Sequence, residues 1–109
     1  MKISFQTEKL KKICEDEVKM TRTFGSQAAR NLKNRLEDLM SVENVSELLA
    51  GKPHPLKGDK YGQFAVAIFQ GVRLTFKPTN DPLPLDLDSK IDWSRVTEVS
   101  VNFVGDYHD

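Results

Sequence analysis

"GKPHPLKGDKYGQFAVAIFQGVRLTFKP", Gly51 to Pro78, is the stretch that decides how this chain of 109 residues folds. "QFAVAIF" and "VRLTF" are rich in β-forming residues, and Gln70 and Gly71 separate them, which suits a tight hairpin with the glycine at positive φ. The second run alternates cleanly. Val72, Leu74 and Phe76 fall on the face destined for the core, and Arg73, Thr75 and Lys77 on the other. The same stretch carries His54, Lys57 and Arg73, with turns expected at Gly58-Asp59 and Tyr61-Gly62. A hairpin here can bring Arg73 onto the face reached by the segment from His54 to Lys57.

Upstream, "KISF" alternates polar and apolar residues and reads as a short strand with Ile3 and Phe5 on one face. Thr7 then caps a helix over "EKLKKICEDEVKM", whose apolar stripe is Leu10, Ile13, Cys14 and Val18. Gly25 breaks the chain, Ser26 caps a second helix, and Ala29, Leu32, Leu36 and Leu39 form its buried stripe. A helical turn capped by Ser46 ends at Gly51, and Pro53 and Pro55 prevent its continuation. Downstream, "PTNDPLPLDLDSKIDWSRV" reads as a long loop between strands, with Trp93 partly in the core beneath it. "TEVSVNFV" is the last strand, with Val99, Val101 and Phe103 inward and Glu98, Ser100 and Asn102 outward. The expected fold class is α+β: one domain over residues 1–109, with an N-terminal strand and a helical pair packed on a mostly antiparallel sheet.

With 39% hydrophobic and 29% charged residues, the composition is that of an ordinary globular protein. No apolar run approaches the roughly 20 residues of a membrane span, and the N-terminus lacks the apolar core of a signal peptide, so the expected location is the cytoplasm. A single cysteine, Cys14, rules out an internal disulfide and has no companions at zinc-ligand spacing; it reads as a core residue of a helix. "KGDKYG" lacks the spacing of a phosphate-binding loop. Asp81, Asp86, Asp88 and Asp92 lack the glycine and terminal glutamate of a calcium loop. Neither a cofactor nor a metal is expected.

Net charge is zero, but its distribution is uneven. Residues 1–77 carry 14 Lys and Arg against 9 Asp and Glu, whereas residues 78–109 carry 2 against 7. A basic body of this kind can offer phosphate a positive groove despite the zero sum.

His54 and His108 are the only histidines, and histidine is the side chain that changes charge near neutrality. Taken singly, each is more readily an exposed or structural residue. Lys57, Arg73 and Tyr107 add two cations and a hydroxyl. Together the set is what RNA cleavage without metal needs: a base for the ribose 2′-OH proton, cations for the phosphorane charge, and an acid for the 5′-oxygen.

"HPLKGDKYGQFAVAIFQGVRLTF" followed by "DYH" also resembles the HigB-like toxins of the RelE/ParE superfamily, the host-inhibition or plasmid maintenance killer branch of type II toxin–antitoxin systems. The likeness covers most of the chain. It implies a compact microbial RNase-like fold and an mRNA endonuclease acting in the ribosomal A site, held in check by a cognate antitoxin of helix-turn-helix, HigA-like type. Carried over by position, His54, Lys57, Arg73, Asp106, Tyr107 and His108 match the family's functional positions. The resemblance makes His108 a general base or acid, Lys57 and Arg73 the holders of the scissile phosphate, and His54 and Tyr107 assistants that position mRNA. Asp106 would orient a neighbour. Three departures stand out: no basic residue in Val66-Ala67-Ile68, a longer and acidic loop between Pro78 and Arg95, and zero net charge. They keep two alternatives open, a gyrase inhibitor of the ParE kind and a toxin-fold binding protein of weakened activity.

Overall fold

Lys2–Phe5 form β1, and Thr7 opens the first helix: its hydroxyl accepts the amide N–H of Leu10 at 3.1 Å, starting α1 (Glu8–Cys14). The structure, a computed structural model, describes residues 1–106, and Tyr107, His108 and Asp109 lie outside the described residues. The single helix expected through Met20 is in fact two. Asp16 leaves helical geometry, and its carboxylate accepts the amides of Val18 and Lys19, capping α2 (Glu17–Phe24). The break re-aims the stripe, so Met20 is buried whereas Val18, expected inward, is 63% exposed. α3 (Ser26–Ser41) is capped by Gly25 without a side-chain bond, so Ser26 is its first residue and not its cap.

α3 buries Ala28, Ala29, Leu32, Leu36 and Leu39 against the sheet, each leucine contributing about 1.5–3 kcal/mol. Glu17 and Lys33 tie α2 to α3 by an ion pair of 2.5 Å, but both are exposed and water screens the pair. Cys14 is buried as expected, and burial pushes its thiol up to about 11 from an ordinary 9.0. Two consequences are expected. Native protein should react far more slowly with a disulfide reagent at mildly alkaline pH than protein unfolded in urea. Stability should also fall as pH rises between those two values, because there the folded state holds a proton that the unfolded thiol has lost. Fast native labelling would show that Cys14 is accessible.

The remaining strands are β2 (His54–Pro55), β3 (Phe64–Phe69), β4 (Val72–Pro78) and β5 (Glu98–Gly105). They form one five-stranded sheet of order β1-β5-β4-β3-β2, antiparallel except for the β1–β5 pair. The α+β class and the mostly antiparallel sheet therefore agree with the sequence. The helical turn before it, Val45–Glu47, is capped by Asn44 and not by Ser46. Helices cover one face, where Leu32, Leu39, Phe64, Val66, Leu74, Phe76, Val99 and Val101 make the core. Among the described residues no helix is long and apolar enough to cross a membrane.

Two irregularities re-aim side chains. In the β3–β4 hairpin the register slips between Ala67 and Phe69, and Gln70 takes positive φ (52°), not Gly71 as expected. On β5 the slip falls at Asn102: Phe76 pairs with Val101, but the preceding Thr75 pairs with Phe103. An extra residue in one strand reverses which face its successors occupy. Phe103, expected inward, therefore joins Thr75 on the face away from the helices, and Val104 packs on the core in its place.

The long loop is built rather than loose. Asp86 accepts the amides of Asp88 and Lys90, an isolated bridge joins Leu85 to Ile91, and Asp92 caps the turn Trp93–Arg95. The Asp92 carboxyl is held below its usual range, first by the Ser94 hydroxyl and then by Arg95. Trp93 packs on Phe64 with ring centroids 4.9 Å apart.

Candidate functional site

The site grows from one hairpin. After Gly51 the chain turns back toward β3, and the Gly51 carbonyl accepts the Ala67 amide at 2.7 Å. Gly51 has φ +83°, and a Cβ there would lie 2.5 Å from Val66 Cγ1 and 2.8 Å from the Ala67 carbonyl. Only glycine fits. Gly51→Ala is expected to lower stability by about 1–3 kcal/mol in urea titration. An unchanged midpoint would show that the strand can give way.

Beyond Gly51, His54 pairs with Ala65, Pro55 with Phe64, and the Leu56 amide donates to the Gln63 carbonyl. This two-residue edge strand was not legible between the prolines. Residues 57–62 form the loop, with the turn Gly58–Lys60 near its start, in line with the turns expected there. Lys57 is exposed and Lys60 half-buried.

Register then defines the face opposite the helices. His54, Ala65, Thr75 and Phe103 occupy one cross-strand row, and Ala67, Arg73 and Gly105 the next. Residues paired across strands point to the same side, so His54 and Arg73 share this face as the sequence suggested. Their Cα atoms lie two strands and two residues apart, about 12 Å by standard sheet spacings. At that spacing they share the face without touching. Arg73 is half-buried with its Nε shielded from solvent. Asp106, just past the row of Arg73, packs at the hairpin tip; a Cβ on Gly71 would lie 2.8 Å from the Asp106 Cγ. Tyr107 and His108, the other expected site residues, lie outside the described residues.

The His54 ring is oriented. Its Nδ1 lies 2.8 Å from the Lys52 carbonyl oxygen, which can only accept, so Nδ1 carries the hydrogen. In the neutral ring Nε2 then has the free lone pair, the form a general base requires. Lys52 reaches this geometry at φ 49°.

Beside the row of His54, on the side away from Arg73, lies a half-open hollow of about 240 Å³, lined by Lys60, Gln63, Thr75, Asn102 and Phe103. The sequence reading missed all five. Thr75 is only 1% exposed despite its outward place in the alternation, and its hydroxyl donates to Asn102 Oδ1 at 2.9 Å. Asn102 Nδ2 in turn donates to Gln63 Oε1 at 3.1 Å. Gln63 and Asn102 are 39 residues apart, and no local signal links them. The face thus presents an oriented imidazole, a guanidinium and a small polar hollow, with two lysines on the adjoining loop. Such a set can take and give protons beside an anion.

Neither a protein-family model nor a curated protein matches the sequence. Solved structures do match the fold. A YoeB/ParE toxin from Agrobacterium tumefaciens superimposes with a TM-score of 0.62 at 14% identity, covering 99% of this chain and 100% of that one. The YoeB–YefM complex from Staphylococcus aureus has a TM-score of 0.58 at 14% identity, covering 100% of this chain and 98% of that one. The YoeB dimer from the same organism also has a TM-score of 0.58, at 15% identity and with the same coverage. The chain therefore has the fold of YoeB-type toxins over its whole length.

Proposed function

We propose that this chain is the toxin of a type II toxin–antitoxin pair, a ribosome-dependent mRNA endonuclease of the HigB-like kind working in the cytoplasm. The observation that carries the reading is the single sheet face that His54 and Arg73 share, with Lys57 and Lys60 on the adjoining loop. The whole-length likeness to YoeB-type structures supports it.

The chemistry requires no cofactor. The 2′-oxygen attacks the phosphorus, forming a 2′,3′-cyclic phosphate and breaking the bond to the 5′-oxygen. His54 Nε2 takes the 2′-OH proton, and His108 returns a proton to the leaving 5′-oxygen. Arg73 and Lys57 hold the phosphate and offset the charge that grows on its equatorial oxygens. Tyr107 positions the mRNA and Asp106 orients a neighbouring side chain. A relative of the fold is solved with YefM, and an antitoxin, proposed to be of helix-turn-helix and HigA-like type, is the expected partner here as well.

Programmed 70S ribosomes carrying a defined mRNA, read by primer extension with and without the ribosome, test this reading. Cuts that need the ribosome support it; intact mRNA from folded protein removes it. The second reading, gyrase inhibition, draws on the ParE name of one similar structure. A supercoiling assay run in parallel decides between the two.

A further inference from the structure

We infer that Asn31, on α3, is a positioning residue for Arg73: it locks the tip of the β3–β4 hairpin in one of two competing registers and so fixes the strand from which the guanidinium reaches the phosphate. The inference rests on the RNA-cleaving reading above and adds to it a residue from the helical layer.

The two registers can be read from the pairing. Val66 pairs with Leu74 and Ala67 with Arg73, and continuing in step would pair Ile68 with Val72, leaving Phe69, Gln70 and Gly71 as a three-residue loop. The chain does otherwise. Phe69 pairs with Val72, so Ile68 is an extra residue on β3 and the turn tightens to Gln70 and Gly71. Loops of two and of three residues are both common in hairpins, so the turn alone does not choose between them. Arg73 stands next to the slip, and the same tip carries Gly71, against which Asp106 packs. A change of register at this point therefore disturbs the origin of Arg73 and the seat of Asp106 together.

Asn31 favours the bulged register. Its Nδ2 donates to the Ile68 carbonyl at 2.9 Å, across 37 residues of sequence. A carbonyl only accepts, so this bond settles which end of the amide faces the strand. Oδ1 then faces back along α3, where Gln27 Nε2 donates to it at 3.1 Å. The carbonyl that Asn31 engages belongs to the extra residue, the one that a bulge leaves out of the ladder. Asn31 supplies the hydrogen bond that the ladder does not. Asn31 is half-buried beside the stripe of Ala28, Leu32 and Leu36, and this bond accounts for a polar residue there.

Placement matters most in the chemical step. A displacement of about 1 Å caused by a distant substitution can cost roughly 10²-fold in rate. Ribosome binding depends on a wider surface and should be spared.

The test compares the parent with Asn31→Ala, Asn31→Asp, Arg73→Ala and the Asn31→Ala, Arg73→Ala double variant. Single-turnover cleavage is measured at saturating programmed ribosomes, with urea midpoints alongside. Asn31→Asp keeps the shape of the side chain while removing the donor, and it serves if the alanine variant does not fold. Nuclear magnetic resonance of the same proteins without ribosomes follows the amides of Ala67, Phe69 and Arg73. Both Asn31 variants are expected to slow the chemical step by about 10- to 100-fold at unchanged ribosome affinity. In the Arg73→Ala background Asn31→Ala should add little, because a residue that acts through another loses its effect with it. The three hairpin amides should broaden or double, whereas those of Ile3 and Val99, paired on the far side of the sheet, keep their positions. An unchanged rate in a folded Asn31 variant overturns the inference while leaving the cleavage reading intact, and so does a loss as large in the Arg73→Ala background as in the parent. Absence of any cutting by the parent removes the cleavage reading, and the hold on the hairpin is then judged by resonance alone, where identical hairpin amides in parent and variants overturn it.

Discussion

His54→Ala is expected to slow ribosome-dependent mRNA cleavage by about 10²–10⁴-fold, the usual worth of a positioned general base or acid. The fold should survive, because His54 is exposed on an edge strand of two residues and its ring contributes one hydrogen bond, to the Lys52 carbonyl. Truncating it removes the one described imidazole on the face and no core contact. His108→Ala should cause a loss of the same order if it supplies the complementary proton. The double variant should be little worse than either single one, since groups that act in one transition state are strongly non-additive. Single-turnover rates on programmed ribosomes, with urea midpoints alongside, provide the measurement. A His54→Ala protein that folds and cuts at the parent rate would assign base catalysis elsewhere.

Arg73→Ala should cost about 10²–10³ in the rate of the chemical step, the size found when one preorganised donor to a developing negative charge is removed. Arg73 sits mid-sheet on β4, paired with Ala67 on one side and Gly105 on the other, so its backbone is held by both neighbouring strands. A fixed origin for the side chain favours charge stabilisation in a transition state. Arg73→Lys should recover only part of the rate, because an ammonium lacks the planar fork that holds two phosphate oxygens together. The stem is half-buried, so a loss of stability could mimic a loss of catalysis. The two are separated by measuring rate at saturating ribosome complex beside the urea midpoint. A drop in stability with an unchanged rate of the folded fraction would make Arg73 a packing residue.

Much of this arrangement was legible along the chain because the signals involved are local. Alternation of apolar residues placed β1 and β4, and the density of β-forming residues placed β3. The Thr7 cap placed the start of α1, and the spacing of Leu32, Leu36 and Leu39 gave the buried stripe of α3. Alternation also put Arg73 on the face opposite Leu74, and the register of β2 on β3 confirmed that His54 shares it. Other features depended on competition that composition does not reveal. Asp16 is a helix residue by stripe and a cap by hydrogen bonding, and the cap won. His54 and Pro55 read as turn because proline cannot donate, yet at the sheet edge the lost donor faces no strand.

By itself the sequence determined the α+β class, the strands β1, β3, β4 and β5, and that Arg73 lies on the face of β4 away from the core. Tertiary structure alone decided the direction of Phe103, the burial of Thr75 and the joining of Asn102 to Gln63. The physical reason lies in range. Caps and alternation are settled by neighbours a few residues away. A bulge is settled by how two strands meet, and the one at Asn102 turns the end of β5 over so that Phe103 joins the outward face beside Thr75 instead of continuing the apolar row of Val99 and Val101.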